Sequence, residues 1–192
     1  MRKTLVSVVV AAGLLLVVGA TPAEADTNTS SVSAGTLTTT TYGANLTGVT
    51  LNGTSSQTAT GTATMPWVIT DARGSGAQWA VSVTASVLTS AAGTVDTTAR
   101  TIPVGDLTIT PGTITAAVGA DPVGSTLTGA ALTMSGSSQA LIVSTGSNKG
   151  TYNLTPTFTL TIPANAFRSN WPGVVGTGVV NPYTSTLTYT IG

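Results

Sequence analysis

Few residues of this 192-residue chain could do chemistry. It has no histidine and no cysteine. Imidazole bases, thiol nucleophiles and thiolate metal ligands are therefore missing from its inventory. Its carboxylates are scattered, and no two stand at a spacing that suggests a glycosidase pair. No catalytic residue, metal site or cofactor is expected, and the chain is not expected to be an enzyme. What remains is contact chemistry. Asp71 and Arg73 share the turn DARGSG. They could hold a polar ligand, or lock the turn, with Asp71 accepting backbone N–H bonds and Arg73 meeting a carbonyl or carboxylate. Phe167, Arg168 and Trp171 lie in a Gly/Pro-rich stretch, residues 164–182. A Trp face can stack on a sugar ring, and Arg can donate to hydroxyls or to a carboxylate. Trp171 is either loop packing or an exposed contact platform. The long loop, more than the strand of Trp79, is expected to carry the specific contact, because loops of this length are usually functional or disordered. Valines at 174, 175, 179 and 180 argue against simple disorder.

The elements that must position these residues are strands. Residues 65–86 read as strand, tight turn, strand, a central hairpin with Trp67 before the turn and Trp79 after it. Beyond the turn the alternation is strict. Trp79, Val81, Val83 and Ala85 share one face, while Ala80, Ser82, Thr84 and Ser86 share the other. A period of two marks one buried and one wet face, so Trp79 is expected in the core. Tyr152, Leu154, Phe158, Leu160 and Ile162 mark another strand, interrupted at Pro156. That position is expected at an edge or bulge, because proline cannot donate to a ladder. Tyr183, Leu187, Tyr189 and Ile191 share one face of a last strand. No stretch after the N-terminal leader has helical periodicity. Many short strands between Gly/Pro turns predict an all-β fold, a single β-sandwich of Greek-key or jelly-roll-like form without substantial helix.

The remaining sequence sets the compartment. Residues 1–25 read as a secretory signal peptide: Arg2 and Lys3, then an apolar run to Ala20, then Ala23-Glu24-Ala25 as a cleavage site. The run is too short for the roughly 20 residues of a spanning helix. Residues 26–35, rich in Ser and Thr, are expected to be a flexible arm, and residues 36–192 one β domain. After cleavage Arg73, Arg100, Lys149 and Arg168 face Asp26, Asp71, Asp96, Asp106 and Asp121. A surface so close to neutral offers no footprint for nucleic acid and none for anionic lipid, so neither nucleic acid nor membrane is an expected partner.

Three stretches carry a resemblance. Asp71-Ala72-Arg73-Gly74-Ser75-Gly76-Ala77-Gln78-Trp79-Ala80-Val81 is similar to the D-x-R-G-x-G-x-G-W-x-L hairpin of the WxL family of bacterial surface proteins. Gly150-Thr151-Tyr152, followed by Leu160-Thr161-Ile162-Pro163-Ala164, resembles that family's LTVPA strand. Tyr183, Leu187, Tyr189, Ile191 and Gly192 stand where the family has Y-xxx-L-x-W-x-L. The match covers most of residues 40–192. It implies a secreted β-sandwich on the Gram-positive cell wall, held non-covalently by contacts with peptidoglycan or a wall glycan. Trp79 and Val81 carry over onto the first W-x-L, with Val for Leu. Tyr189 and Ile191 carry over onto the second, with Tyr for Trp and Ile for Leu. All replacements stay apolar or aromatic, so a core role is expected for the four. The stretch 167–182 looks longer than the family's usual link to its last strand, which marks a divergent member. The expected function is wall adhesion, with other surface proteins as further partners. The alternative is a subunit of an extracellular fibre or surface assembly, joined to other copies of itself by β-strand addition.

Overall fold

The computed structural model describes residues 29–192. The expected signal peptide, 1–25, and residues 26–28 of the expected arm lie outside the described residues. The rest of the arm carries no strand, but its last residue is held. The Gly35 N–H donates to the Ala72 carbonyl at 2.8 Å, and the Ala72 N–H donates to the Thr36 carbonyl at 3.0 Å.

Strands follow wherever the sequence alternates. In chain order the first seven are β1 (Leu37–Thr40), β2 (Gln57–Thr62), β3 (Trp67–Asp71), β4 (Trp79–Ala85), β5 (Leu88–Ser90), β6 (Arg100–Ile102) and β7 (Leu107–Thr110). The next seven are β8 (Thr115–Ala116), β9 (Leu127–Gly129), β10 (Leu132–Thr133), β11 (Gln139–Ser144), β12 (Gly150–Leu154), β13 (Thr157–Ile162) and β14 (Leu187–Ile191). Among the described residues the helical content is one 3-10 turn, Val104–Asp106. The all-β expectation holds. Where one pair of sheets was expected, the strands form four small sheets, with every pairing between strands antiparallel. Their orders are β1-β3-β12-β8, β10-β7-β13-β2, β14-β4-β11-β9 and β5-β6.

Two of these sheets are made from the same three ribbons of chain. β2 leads into β3, β7 into β8, and β12 into β13. β12 lies between β3 and β8, as β13 lies between β2 and β7. All three ribbons break at one level, and each break contains a proline: Pro66, Pro111 and Pro156. A proline has no N–H for the ladder, so a row of three interrupts it across the whole width. This corrects the expectation for Pro156. It sits within a central ribbon, flanked on both sides, and its carbonyl accepts the Ala63 N–H at 2.9 Å across the break.

A second correction concerns the central hairpin. β3 and β4 are not paired. β3 lies between β1 and β12, whereas β4 lies between β14 and β11. The seven residues between them carry the chain from one sheet to another, with Gly74 and Gly76 at φ 68° and 67°, a region that only glycine enters freely. Each Trp then meets an aromatic ring of the other sheet. The Trp67 ring meets Tyr189 of β14 edge-on at 4.7 Å, and the Trp79 ring lies 6.2 Å from Tyr152 of β12. Both distances suit edge-to-face or tilted aromatic contacts. One buried apolar cluster runs through the set, from Ala59 and Phe158 to Trp67, Val83 and Ile142. β11 breaks its alternation because a bulge between Ala140 and Ile142 turns Leu141 and Ile142 inward together.

Candidate binding site

The two candidate groups stand in different settings. Asp71 ends β3, and only 2% of its surface is exposed. One carboxylate oxygen accepts the Arg73 backbone N–H and Nε, both at 3.0 Å, and the other accepts Arg73 Nη2 at 2.9 Å. The same Nη2 reaches the Ala77 carbonyl at 2.8 Å. Asp71 is held below the usual carboxylate range, chiefly by the Arg73 side chain, against the opposing effect of burial. The pair therefore closes the turn on itself and presents little to a ligand.

The residues that resemble the two W-x-L motifs lie side by side. Val81 pairs with Ile191 and Val83 with Tyr189 on adjacent strands. Trp79 is 2% exposed and Val81 fully buried. The Trp79 indole donates to the Asn148 carbonyl at 3.1 Å, and the Trp67 indole donates to the Tyr42 carbonyl at 2.8 Å. Both tryptophans thus have a buried ring and a satisfied N–H, the arrangement of core residues. The Tyr189 hydroxyl is buried without a hydrogen-bond partner, and burial pushes its pKa up.

The loop 164–182 is pinned to the segment between β5 and β6. Asn170 and Asn181 form an isolated bridge that pinches its tip. Asn170 is buried. Its N–H donates to Ser90 Oγ at 2.8 Å, and its Nδ2 donates to the carbonyls of Ala91 and Thr98 at 3.1 and 2.8 Å. Ser90 Oγ donates in turn to the Asn181 carbonyl at 2.6 Å. Gly93 passes so close to the Trp171 carbonyl that a Cβ there would lie 1.7 Å from its oxygen. Arg168 forks onto Asp96, Nη1 at 2.7 Å and Nη2 at 3.1 Å, and Asp96 also accepts the Trp171 N–H at 3.2 Å. These bonds hold Asp96 below the usual carboxylate range, the Arg168 side chain being the main cause. Arg168, expected to face a ligand, has both Nη atoms engaged within the loops and acts as their anchor.

Phe167 remains open. It is 58% exposed, and the Arg100 guanidinium lies 3.9 Å above its ring, within cation–π range. The Tyr183 hydroxyl donates to the Phe167 carbonyl at 2.9 Å. Trp171 is half-buried. Behind these side chains a cleft of about 760 Å³ runs inward. Leu46, Val49 and Leu51 line it together with the buried Leu107 and Leu160, and the more exposed Phe167, Arg168, Trp171 and Tyr183 line it toward solvent. The structure brings Phe167, Arg168 and Trp171 to this cleft and leaves Asp71 and Arg73 outside it. Ser90, Gly93, Asp96 and Asn170 were not read from the sequence as parts of a site, because their partners are remote in sequence. No protein-family model, curated protein or solved structure matches the chain.

Proposed function

We propose that the protein is a secreted, non-enzymatic, wall-associated binding module of the WxL kind, holding peptidoglycan or a wall glycan non-covalently at the mouth of its cleft. The reading is that of a two-layer β-sandwich, in which the bent three-ribbon layer faces β14-β4-β11-β9. The reciprocal contacts Trp67–Tyr189 and Trp79–Tyr152 support that layering. One observation carries the function: Phe167 and Trp171 are presented at the mouth by a loop that a dense set of hydrogen bonds fixes in place. An ordered aromatic face binds a sugar ring with little loss of conformational freedom. Asp71 and Arg73, spent on their own turn, have no part in this contact.

Co-sedimentation with purified cell walls tests the reading. Protein starting at Asp26 is expected to pellet with walls and to stay in solution without them. Phe167→Ala and Trp171→Ala are expected to weaken pelleting about fivefold or more, since each stacking contact contributes on the order of 1 kcal/mol or more. Thermal midpoints are expected to change little. Unaltered pelleting of both variants refutes the contact, and pelleting without walls favours the fibre subunit instead.

A further inference from the structure

We infer that the interior of the cleft takes the hydrocarbon chain of an anionic amphiphile, a long-chain carboxylate being the simplest, with its head group at Arg100. The volume, about 760 Å³, lies in the usual range for small-molecule sites, which are largely apolar with a few placed polar groups. Val49, Leu51, Leu107, Leu160 and Leu187 present side chains to it. Asn45, Thr47, Ser169 and Thr184 also line it, but a lining so largely apolar offers sugar hydroxyls or peptide groups few partners, and burying such groups unpaired is unfavourable. Nor do the strand edges beside the cleft offer a peptide a ladder. On β2 the Thr60 carbonyl already accepts the Thr47 N–H at 2.9 Å. On β5, Thr89 exchanges backbone bonds with Thr184 at 2.9 and 3.0 Å. A hydrocarbon chain asks for neither.

The mouth supplies the sign of the head group. Arg168 is balanced by Asp96. Arg100 is not: among the described residues it joins no ion pair and makes no side-chain hydrogen bond, and its guanidinium rests on the ring of Phe167, which lines the cleft, while Arg100 itself stands outside the lining. Asp96 and Tyr183 are the ionisable groups that feel its charge. The balance of Arg100, Arg168 and Asp96 leaves one net positive charge beside an apolar cleft. A guanidinium with unspent donors is suited to a carboxylate, which it can bind through two parallel hydrogen bonds.

The inference does not depend on wall adhesion, and its test uses no walls. Protein starting at Asp26 is titrated with cis-parinaric acid, whose polyene fluorescence rises on entering an apolar site, and separately with the corresponding alcohol. The expected result is saturable one-to-one binding, with the alcohol about tenfold weaker than the acid, as for loss of one charge-assisted contact. Arg100→Gln is expected to bring the acid down to the level of the alcohol and to leave the alcohol unchanged. Val49→Trp, which fills the cleft from its wall, is expected to lose both ligands. Circular dichroism establishes that each variant is folded. Should Val49→Trp not fold, the acid and alcohol on Arg100→Gln decide the matter alone. Absence of saturable binding, equal affinity for acid and alcohol, or full binding by folded Val49→Trp overturns the inference.

Discussion

Two buried polar groups show opposite solutions to the same problem. Asp71 is almost fully buried and has both carboxylate oxygens occupied by Arg73. Tyr189 buries its hydroxyl without a partner. An unsatisfied buried group is destabilising by about 1–3 kcal/mol, while the ring itself contributes packing against Trp67. Tyr189→Phe is therefore expected to raise stability by about 1 kcal/mol, read as a rise of roughly 2–4 °C in the thermal midpoint. A fall in the midpoint would show that the hydroxyl is bonded in solution. For Asp71 the expectation concerns pH. Its folded-state pKa lies below the ordinary 3.8, so the folded protein binds this proton less readily than the unfolded chain. The stability it contributes is complete above that ordinary value and is lost as pH falls through the lower, folded-state value. Asp71→Asn is expected to lower the midpoint at neutral pH and to flatten the fall in stability below about pH 4. Parallel melting curves for variant and wild type across that acid range would disprove the assignment.

At the scale of elements, the loop 164–182 owes its order to a segment about seventy residues earlier. Asn170, Ser90 and the Asp96–Arg168 fork join the two, and their close approach is possible because Gly93 has no side chain. Gly93→Ala would place a Cβ 1.7 Å from the Trp171 carbonyl oxygen, a distance at which the backbone itself must move. The sheets make no use of this contact. Gly93→Ala is expected to leave the β-sheet circular dichroism intact and to release the loop. Faster limited proteolysis within 164–182 and a red shift of Trp171 emission are the readouts. Proteolysis at the wild-type rate would mean that the loop holds its place by other contacts.

At the scale of the molecule, pairing is almost wholly non-local. β3 pairs with β1 and β12, and β4 with β11 and β14, although β3 and β4 are neighbours in sequence. A synthetic peptide of residues 65–86 is therefore expected to form no hairpin in water, because its two strands never pair even in the native protein. Cross-strand nuclear Overhauser contacts in that peptide would contradict the topology. Refolding of the whole domain is expected in the millisecond-to-second range typical of sheets closed by distant strands, and stopped-flow tryptophan fluorescence can follow it.

Sequence by itself determined the all-β class and the buried face of the strongly alternating strands, but not the short pair β5 and β6, which lie where it reads as loop. The alternation at Trp79, Val81, Val83 and Ala85 reappears as four buried residues separated by half-exposed ones. Side-chain parity is a local property of an extended chain, so it is written in the residues themselves. Composition likewise ruled out imidazole and thiolate chemistry, because those groups are absent from the chain. Tertiary structure alone decided which strands meet. A one-sided strand is content against any partner that covers its apolar face, so the turn at Asp71–Gln78 reads equally well as a hairpin or as a crossing between sheets. The same holds for Arg168. Its type suggested a ligand contact, and only the fold brought Asp96 within 2.7 Å to engage it. The cleft was the least legible feature. Its walls at Val49, Leu160 and Leu187 come from separate parts of the chain, and a space between remote side chains leaves no pattern along the sequence.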